Sequence, residues 1–374
     1  MIATKKLDGY LSIFSKSLTK PQFENFRIAI LWLFLDGKKS VTSISKKVIN
    51  SKDKSTLNRF FSNSGWNEKE INKIRLKALE RNKDLKISSK GYFIIDDTLT
   101  EEFGEEMEWV GKYFDHTDGK YKNWRTILAL AYAEWDNIYP IDVRIYYKIE
   151  EVWKLDFKTK NELAIEMIFE HLPKNKENYP ICLFDSWFSW KDFLETLDKK
   201  GLMFITKPKS SRNVFIKGEK KKLPDLFEQA DIAKWEIEWW RKELTFVKWE
   251  VRPNSQDNKE NYYLMTNADL DRSDVIDNYD NRWPVEPMFK DMKQLFGWKD
   301  ISFRSSLSTL RMLYLSFVAY AIALKEKLKN KKLKTIGEVC DFFRRSFLVK
   351  LIKKAYTLWK KSFGIDAMLV LFWL

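Results

Sequence analysis

Six side chains in this 374-residue chain have types and spacing suited to phosphate chemistry. Four of them, Tyr279, Arg282, Glu286 and Lys293, lie in the stretch YDNRWPVEPMFKDMK. The other two, Asp96 and Asp185, close the short apolar runs GYFIID and ICLFD. Carboxylates hold a hard cation such as Mg2+ while leaving room for substrate oxygens. Three acids can hold two such ions about 4 Å apart, one activating an attacking oxygen and the other stabilising the leaving oxygen of an in-line phosphoryl displacement. Arg282 offers a planar fork of donors to phosphate and Lys293 a point charge. For either aspartate alone, a strand-end cap or turn residue is the simpler reading. Both of them followed by Glu286 favour a site.

These residues need elements to position them. Pro284 is excluded from a helix interior, but its fixed φ suits a first turn, so a helix is predicted to restart there. Val285, Met288, Phe289, Met292 and Phe296 then fall on one face, with Glu286 and Lys293 on a polar stripe beside it. Tyr279 and Arg282 approach from the preceding helix. The plainer alternative is an amphipathic helix with an ordinary Glu286–Lys290 pair. Upstream, residues 91–98 read as a buried strand ending in acid, and 127–133 and 141–147 as the next two strands. Thr159 and Glu162 cap a helix to about His171. A strand at 181–185, a helix at 189–200 stopped by Gly201, and a strand at 202–207 complete the set. Three strands, a helix, a strand, a helix and a strand form an RNase H-like order. Its first and fourth strands lie side by side, placing Asp96 and Asp185 at neighbouring strand ends, where mixed α/β sheets build sites. Asp97 competes with Asp96 because the acid is doubled.

The constellation resembles the DDE transposases of bacterial and archaeal insertion sequences, in the group carrying the YREK signature. Tyr279, Arg282, Glu286 and Lys293 stand at the signature spacing. The family's first aspartate usually precedes Thr or Ser by two positions, which matches Asp96 with Thr98. The second matches Asp185 in FDSWFS, and the third Glu286. The resemblance covers roughly residues 90–300. It implies catalysis and metal binding by Asp96, Asp185 and Glu286, with Mg2+ as cofactor and Mn2+ able to substitute. It also implies that Tyr279, Arg282 and Lys293 hold DNA phosphates near the cut. The implied reaction is hydrolysis at the transposon end, then attack of the freed 3′-hydroxyl on the opposite strand or on target DNA. The implied partners are double-stranded DNA and a second copy of the chain. The rival readings are another RNase H-like nuclease, such as a junction resolvase, and a transposase-derived DNA-binding protein that no longer cleaves.

Charge distribution agrees with a polyanionic partner. The net charge is +14, but residues 1–85 carry +10 and residues 301–374 carry +11, leaving −7 between them. Basic ends suit a grip on nucleic acid and an acidic centre suits cations. The two cysteines, Cys182 and Cys340, lack metal-ligand spacing, and two histidines exclude a His-rich metal site. No secretory signal opens the sequence and no GxxxxGK[ST] loop occurs, so a cytoplasmic protein without a nucleotide cofactor is expected. The apolar run at 312–324 is too short to span a bilayer and reads as a core helix.

The expected organisation has five parts. Residues 1–88 form a helical DNA-binding unit, with a possible helix-turn-helix around 42–61. Residues 89–207 and 266–305 form the catalytic domain, 208–265 a β-rich insertion and 306–374 a helical C-terminal region. Most insertion tryptophans read as core. Trp239 or Trp240, consecutive on a strand and so facing opposite sides, is the candidate to stack on a displaced base.

Overall fold

The computed structural model describes residues 2–43, 53–102, 107, 108, 110–115, 119–147, 157–209, 213–216, 219–227, 231–237, 242–251 and 260–360. The described N-terminal helices are α1 (Ile2–Leu11), α2 (Lys20–Phe34), α3 (Lys54–Ser62) and α4 (Glu68–Glu80). One face of α2 is inward: Phe26, Ile30 and Leu33 are buried. Asp53 and Asn67 cap α3 and α4 through side-chain oxygens that accept backbone N–H groups, as short polar residues do at these positions. Most of the first half of the expected helix-turn-helix, with its turn, lies outside the described residues. Helix α1 was not expected, since IATKKLDGYL has only a weak apolar face.

The centre is a mixed sheet of RNase H-like order. Its first strands are β1 (Tyr92–Glu101), β2 (Gly111–Asp115), β3 (Lys120–Glu134) and β4 (Asn137–Tyr146). β3 pairs antiparallel with β1 on one side, and with β2 and β4 in succession on the other. α5 (Lys160–His171) opens with the predicted Thr159–Glu162 capping box and leads to β5 (Ile181–Phe184). α6 (Lys191–Lys199) then leads to β6 (Phe204–Thr206). β5 lies parallel to β1, and β6 parallel to β5. Strands covered on both faces are apolar throughout, and Phe93, Ile94, Ile95, Cys182, Leu183, Phe184, Phe204 and Ile205 are all buried. In one respect the structure corrects the expectation. β1 does not end at its acids but runs on to Glu101, because β3 continues to pair with it as far as Trp124.

The insertion begins with a hairpin of β7 (Asn213–Ile216) and β8 (Glu219–Lys222). An antiparallel meander follows, of β9 (Ile232–Ile237), β10 (Lys242–Val251) and β11 (Glu260–Thr266). β11 pairs with β6 through Met265–Thr206 and Thr266–Ile205, so the meander extends the central sheet. Trp239 and Trp240 lie outside the described residues. Among the described residues four further α-helices follow: α7 (Arg272–Asp280), α8 (Val285–Gln294), α9 (Ser306–Lys329) and α10 (Ile336–Lys360).

Helix α9 is long and apolar enough to cross a membrane, yet 89% of its most apolar window is buried inside the protein. It packs on α2, α3, α4 and β4, which makes it the core helix expected from the sequence. Its Arg311 is buried and donates to the carbonyls of Phe61, Ser64 and Trp66 at 2.9, 2.6 and 2.7 Å. A buried guanidinium needs acceptors of this kind. The N-terminal helices are thereby fastened to the C-terminal region, and both share one continuous core with the sheet.

Candidate active site

Ile95 pairs with Phe184 in the parallel ladder of β1 and β5, and the next residue on each strand is an acid. Adjacent strands lie about 4.8 Å apart and parallel strands rise in step, so Asp96 and Asp185 leave the sheet side by side at one level. Asp185 also ends β5. Its side chain accepts the Trp187 backbone N–H at 2.9 Å and caps the 3-10 turn Ser186–Phe188.

The doubled acid is separated by the strand's period of two, which sends consecutive side chains to opposite faces. Asp96 accepts from Arg282 Nη1 at 2.9 Å, and Asp97 pairs with Lys160 Nζ at 3.1 Å. Only Asp96 is joined to the YREK stretch by a hydrogen bond.

That stretch folds as its pattern requires. Pro284 precedes α8, and Val285, Met288, Phe289, Met292 and Phe296 are all buried. Glu286 stands on the exposed stripe, and Arg282 Nη2 donates to its Oε1 at 3.4 Å. The guanidinium therefore bridges Asp96 and Glu286, tying the signature helices to the strand ends. Glu286 takes Arg282, rather than Lys290, as its ion-pair partner. Tyr279 is buried, with its hydroxyl 3.4 Å from the Phe184 carbonyl and its ring packed on Trp249. It braces the strand end that carries Asp185 and does not present its hydroxyl to solvent. Lys293 is half-buried and pairs with no carboxylate among the described residues, and burial lowers its pKa.

The electrostatics of the cluster favour a cation. Burial pushes the Asp96 carboxyl up to about 6; Arg282 opposes this and the neighbouring Asp185 adds to it. Three carboxylates face one guanidinium, so the cluster is short of positive charge. An all-oxygen, anionic donor set at a sheet edge suits a hard divalent cation such as Mg2+. The position of the guanidinium between Asp96 and Glu286 shows that positive charge is accommodated there.

A second acidic group, Asp142, Glu170 and His171, also has its ligand atoms within 4.8 Å of one another. Here a cation is already in place. Arg144 donates to Asp142 Oδ2 at 2.7 Å and to Glu170 Oε2 at 2.9 Å. Tyr314 and His171 complete the shell of Asp142 at 2.5 and 3.0 Å. This shell holds the Asp142 carboxyl far below the usual range even though burial acts the other way. We read the group as a lock joining β4, α5 and α9. Sequence reasoning missed two residues beside the first cluster, Lys160 and Trp187. Lys160 had no signal beyond its place after the Thr159 cap, whereas Trp187 lay within the FDSWFS motif.

Comparison with protein families agrees with the geometry. The model of a DDE superfamily endonuclease matches residues 22–226, and that of a transposase DDE domain matches residues 159–322. The first match spans Asp96 and Asp185, the second Asp185 and Glu286. No curated protein matches the chain. Since the first match covers more than half of the sequence, the chain belongs to the DDE superfamily of endonucleases and transposases.

Proposed function

We propose that this protein is a metal-dependent DNA transposase of the YREK-signature group, which cleaves the ends of its own insertion sequence and rejoins them to target DNA. The observation that carries this reading is the placement of Asp96 and Asp185 at the ends of adjacent parallel strands, with Glu286 joined to Asp96 through Arg282. Asp96, Asp185 and Glu286 would hold the Mg2+, with Mn2+ as a substitute. Bound there, hard cations would supply Lewis-acid stabilisation to the attacking and leaving oxygens. The protein's own part is orientation and charge. Arg282 gives its fork to a DNA phosphate once Asp96 and Glu286 take other partners, and Lys293, which pairs with no carboxylate among the described residues, receives a second phosphate. Tyr279 holds the Asp185 turn in position from beneath. The basic terminal regions track the duplex, and a second copy of the chain completes the active complex, as in the transposases it resembles.

The test uses a plasmid carrying the gene with its flanking DNA, incubated with the protein and Mg2+ or Mn2+. We expect breaks at two flanking positions, lost in Asp185→Asn and in Glu286→Gln while gel-shift binding is retained. The amide removes an anionic ligand and little bulk. Near-normal cleavage by both variants overturns the assignment.

A further inference from the structure

We propose that the cleft between α3 and the segment leading into α9 is a seat for the phosphate backbone of duplex DNA, sharing no residue with the cleavage site. This inference rests on reading the protein as a DNA transposase. The cleft has a volume of about 440 Å3 and draws its walls from two distant parts of the chain. Lys39, Lys54, Asn58 and Ser62 come from the N-terminal helical unit, and Arg304 and Ser305 from the segment between α8 and α9. Lys54, Asn58 and Ser62 recur every four residues along α3, so one polar face of that helix forms a wall. None of the lining residues is acidic, and most of those that are not cationic carry a hydroxyl or an amide.

The charges suit an anion that arrives from outside. The Lys39 ammonium is already engaged, donating to the carbonyls of Trp32, at 3.0 Å, and Leu35 at the end of α2. Lys54 and Arg304 are exposed, and Lys54 makes no ion pair among the described residues. Nor does the seat depend on the start of α9. Glu108 accepts the Ser306 N–H there at 2.8 Å, and Ser305 Oγ accepts that of Ser308 at 3.3 Å. Pockets for small molecules are lined mostly by apolar side chains, whereas only Val41 and Phe303 are apolar here. A phosphodiester backbone needs no apolar wall, because its charge takes the two cations and its oxygens take hydroxyl and amide donors. Arg311 of α9 holds the two walls together by donating to the Phe61, Ser64 and Trp66 carbonyls at the end of α3. A duplex seated here is fixed to the same frame as α9, and such contacts position DNA without reading its sequence.

The experiment uses the full-length protein with fluorescein-labelled duplexes of the gene's flanking DNA, in Ca2+ rather than Mg2+. Binding is read by anisotropy across a salt series, and a thermal melt checks that each variant is folded. Lys54→Ala and Arg304→Ala should each lower the salt slope by about one, since each removes one phosphate contact. Asn58→Asp, nearly unchanged in shape, should weaken binding roughly ten-fold because an acid then faces the phosphates, while Asn58→Ala changes it little. Duplexes carrying one neutral methylphosphonate, moved a position at a time, locate the seat. A position that weakens native binding should lose its effect in the Lys54→Ala, Arg304→Ala double variant. Unchanged slopes in both single variants, or methylphosphonate effects that all persist in the double variant, overturn the proposal. Acetylation of Lys54, mapped by mass spectrometry at constant ionic strength, separates the sources of phosphate. Duplex should protect this lysine and inorganic phosphate should not; protection by inorganic phosphate alone marks an adventitious ion only and overturns the seat. Mn2+ binding followed by EPR reads the cleavage site separately. Retained Mn2+ in Asp185→Asn overturns the site reading, whereas unchanged salt slopes beside lost Mn2+ in that variant overturn the seat alone.

Discussion

Replacing Asp96 by Asn should make the metal-free protein more stable at neutral pH, the opposite of what removing an ordinary ion-paired carboxylate does. Burial and Asp185 together outweigh Arg282 and raise the Asp96 carboxyl from 3.8 to about 6. Below about pH 4 this group is protonated in the folded and unfolded chains alike. Between there and about pH 6 the unfolded chain ionises first, so the folded state loses stability as pH rises through that window. At about 1.4 kcal/mol per pH unit the loss is at most about 3 kcal/mol. Asn lacks the charge and should recover about 1–3 kcal/mol at pH 7.5, less than the full amount because Arg282 keeps only Glu286 as a partner. Urea unfolding at pH 4 to 8 without divalent ions measures the effect, and repetition with Mn2+ tests its cause. Mn2+ should stabilise the native protein and leave Asp96→Asn nearly unchanged, since a ligand that binds only the folded state raises its stability. A variant less stable than the native chain at pH 7.5, or one equally stabilised by Mn2+, would refute the account of a cluster short of positive charge.

Two further outcomes are expected. Lys293→Ala should weaken binding to duplex DNA and lower the salt slope by about one, read by fluorescence anisotropy across a salt series, because one phosphate contact is lost. Asp142→Ala should cost about 3–5 kcal/mol by leaving the Arg144 guanidinium without its buried partner, seen in urea unfolding, while Mn2+ binding by EPR stays unchanged. An equal loss of Mn2+ in that variant would return the Asp142–Glu170–His171 group to consideration as the metal centre.

What could be read in advance was local. The Thr159–Glu162 cap, the Gly201 stop and the apolar face of α8 each depend on residues a few positions apart, and each is found in the structure. The pairing of β1 with β5 was also legible, because two apolar runs ending in acid fit only a few arrangements in a mixed sheet. The choice between Asp96 and Asp97 was not, since a one-residue shift exchanges the faces of a strand and the doubled acid conceals the register. The β5 ladder, with Arg282 on one side and Lys160 on the other, separates them. Tyr279 shows the same limit from another side. Its residue type suits a phosphate ligand, but the packing that buries it comes from Trp249 on the insertion and the Phe184 carbonyl on β5, both distant in sequence.

The joining of β11 to β6 matters most for the site, and no local pattern announced it. Because the insertion continues the catalytic sheet, its last strand runs antiparallel to β6, away from the aspartate end, and α7 brings the chain back to the Phe184 carbonyl through Tyr279. Glu286 is therefore positioned by sheet pairing as well as by its own helix. A change that loosened the β6–β11 edge would shift Arg282 and Glu286 relative to Asp96 while leaving Asp96 and Asp185 in register. The salt bridges from Arg282 to Asp96 and to Glu286 are the direct contacts that hold Glu286 in reach of the strand ends.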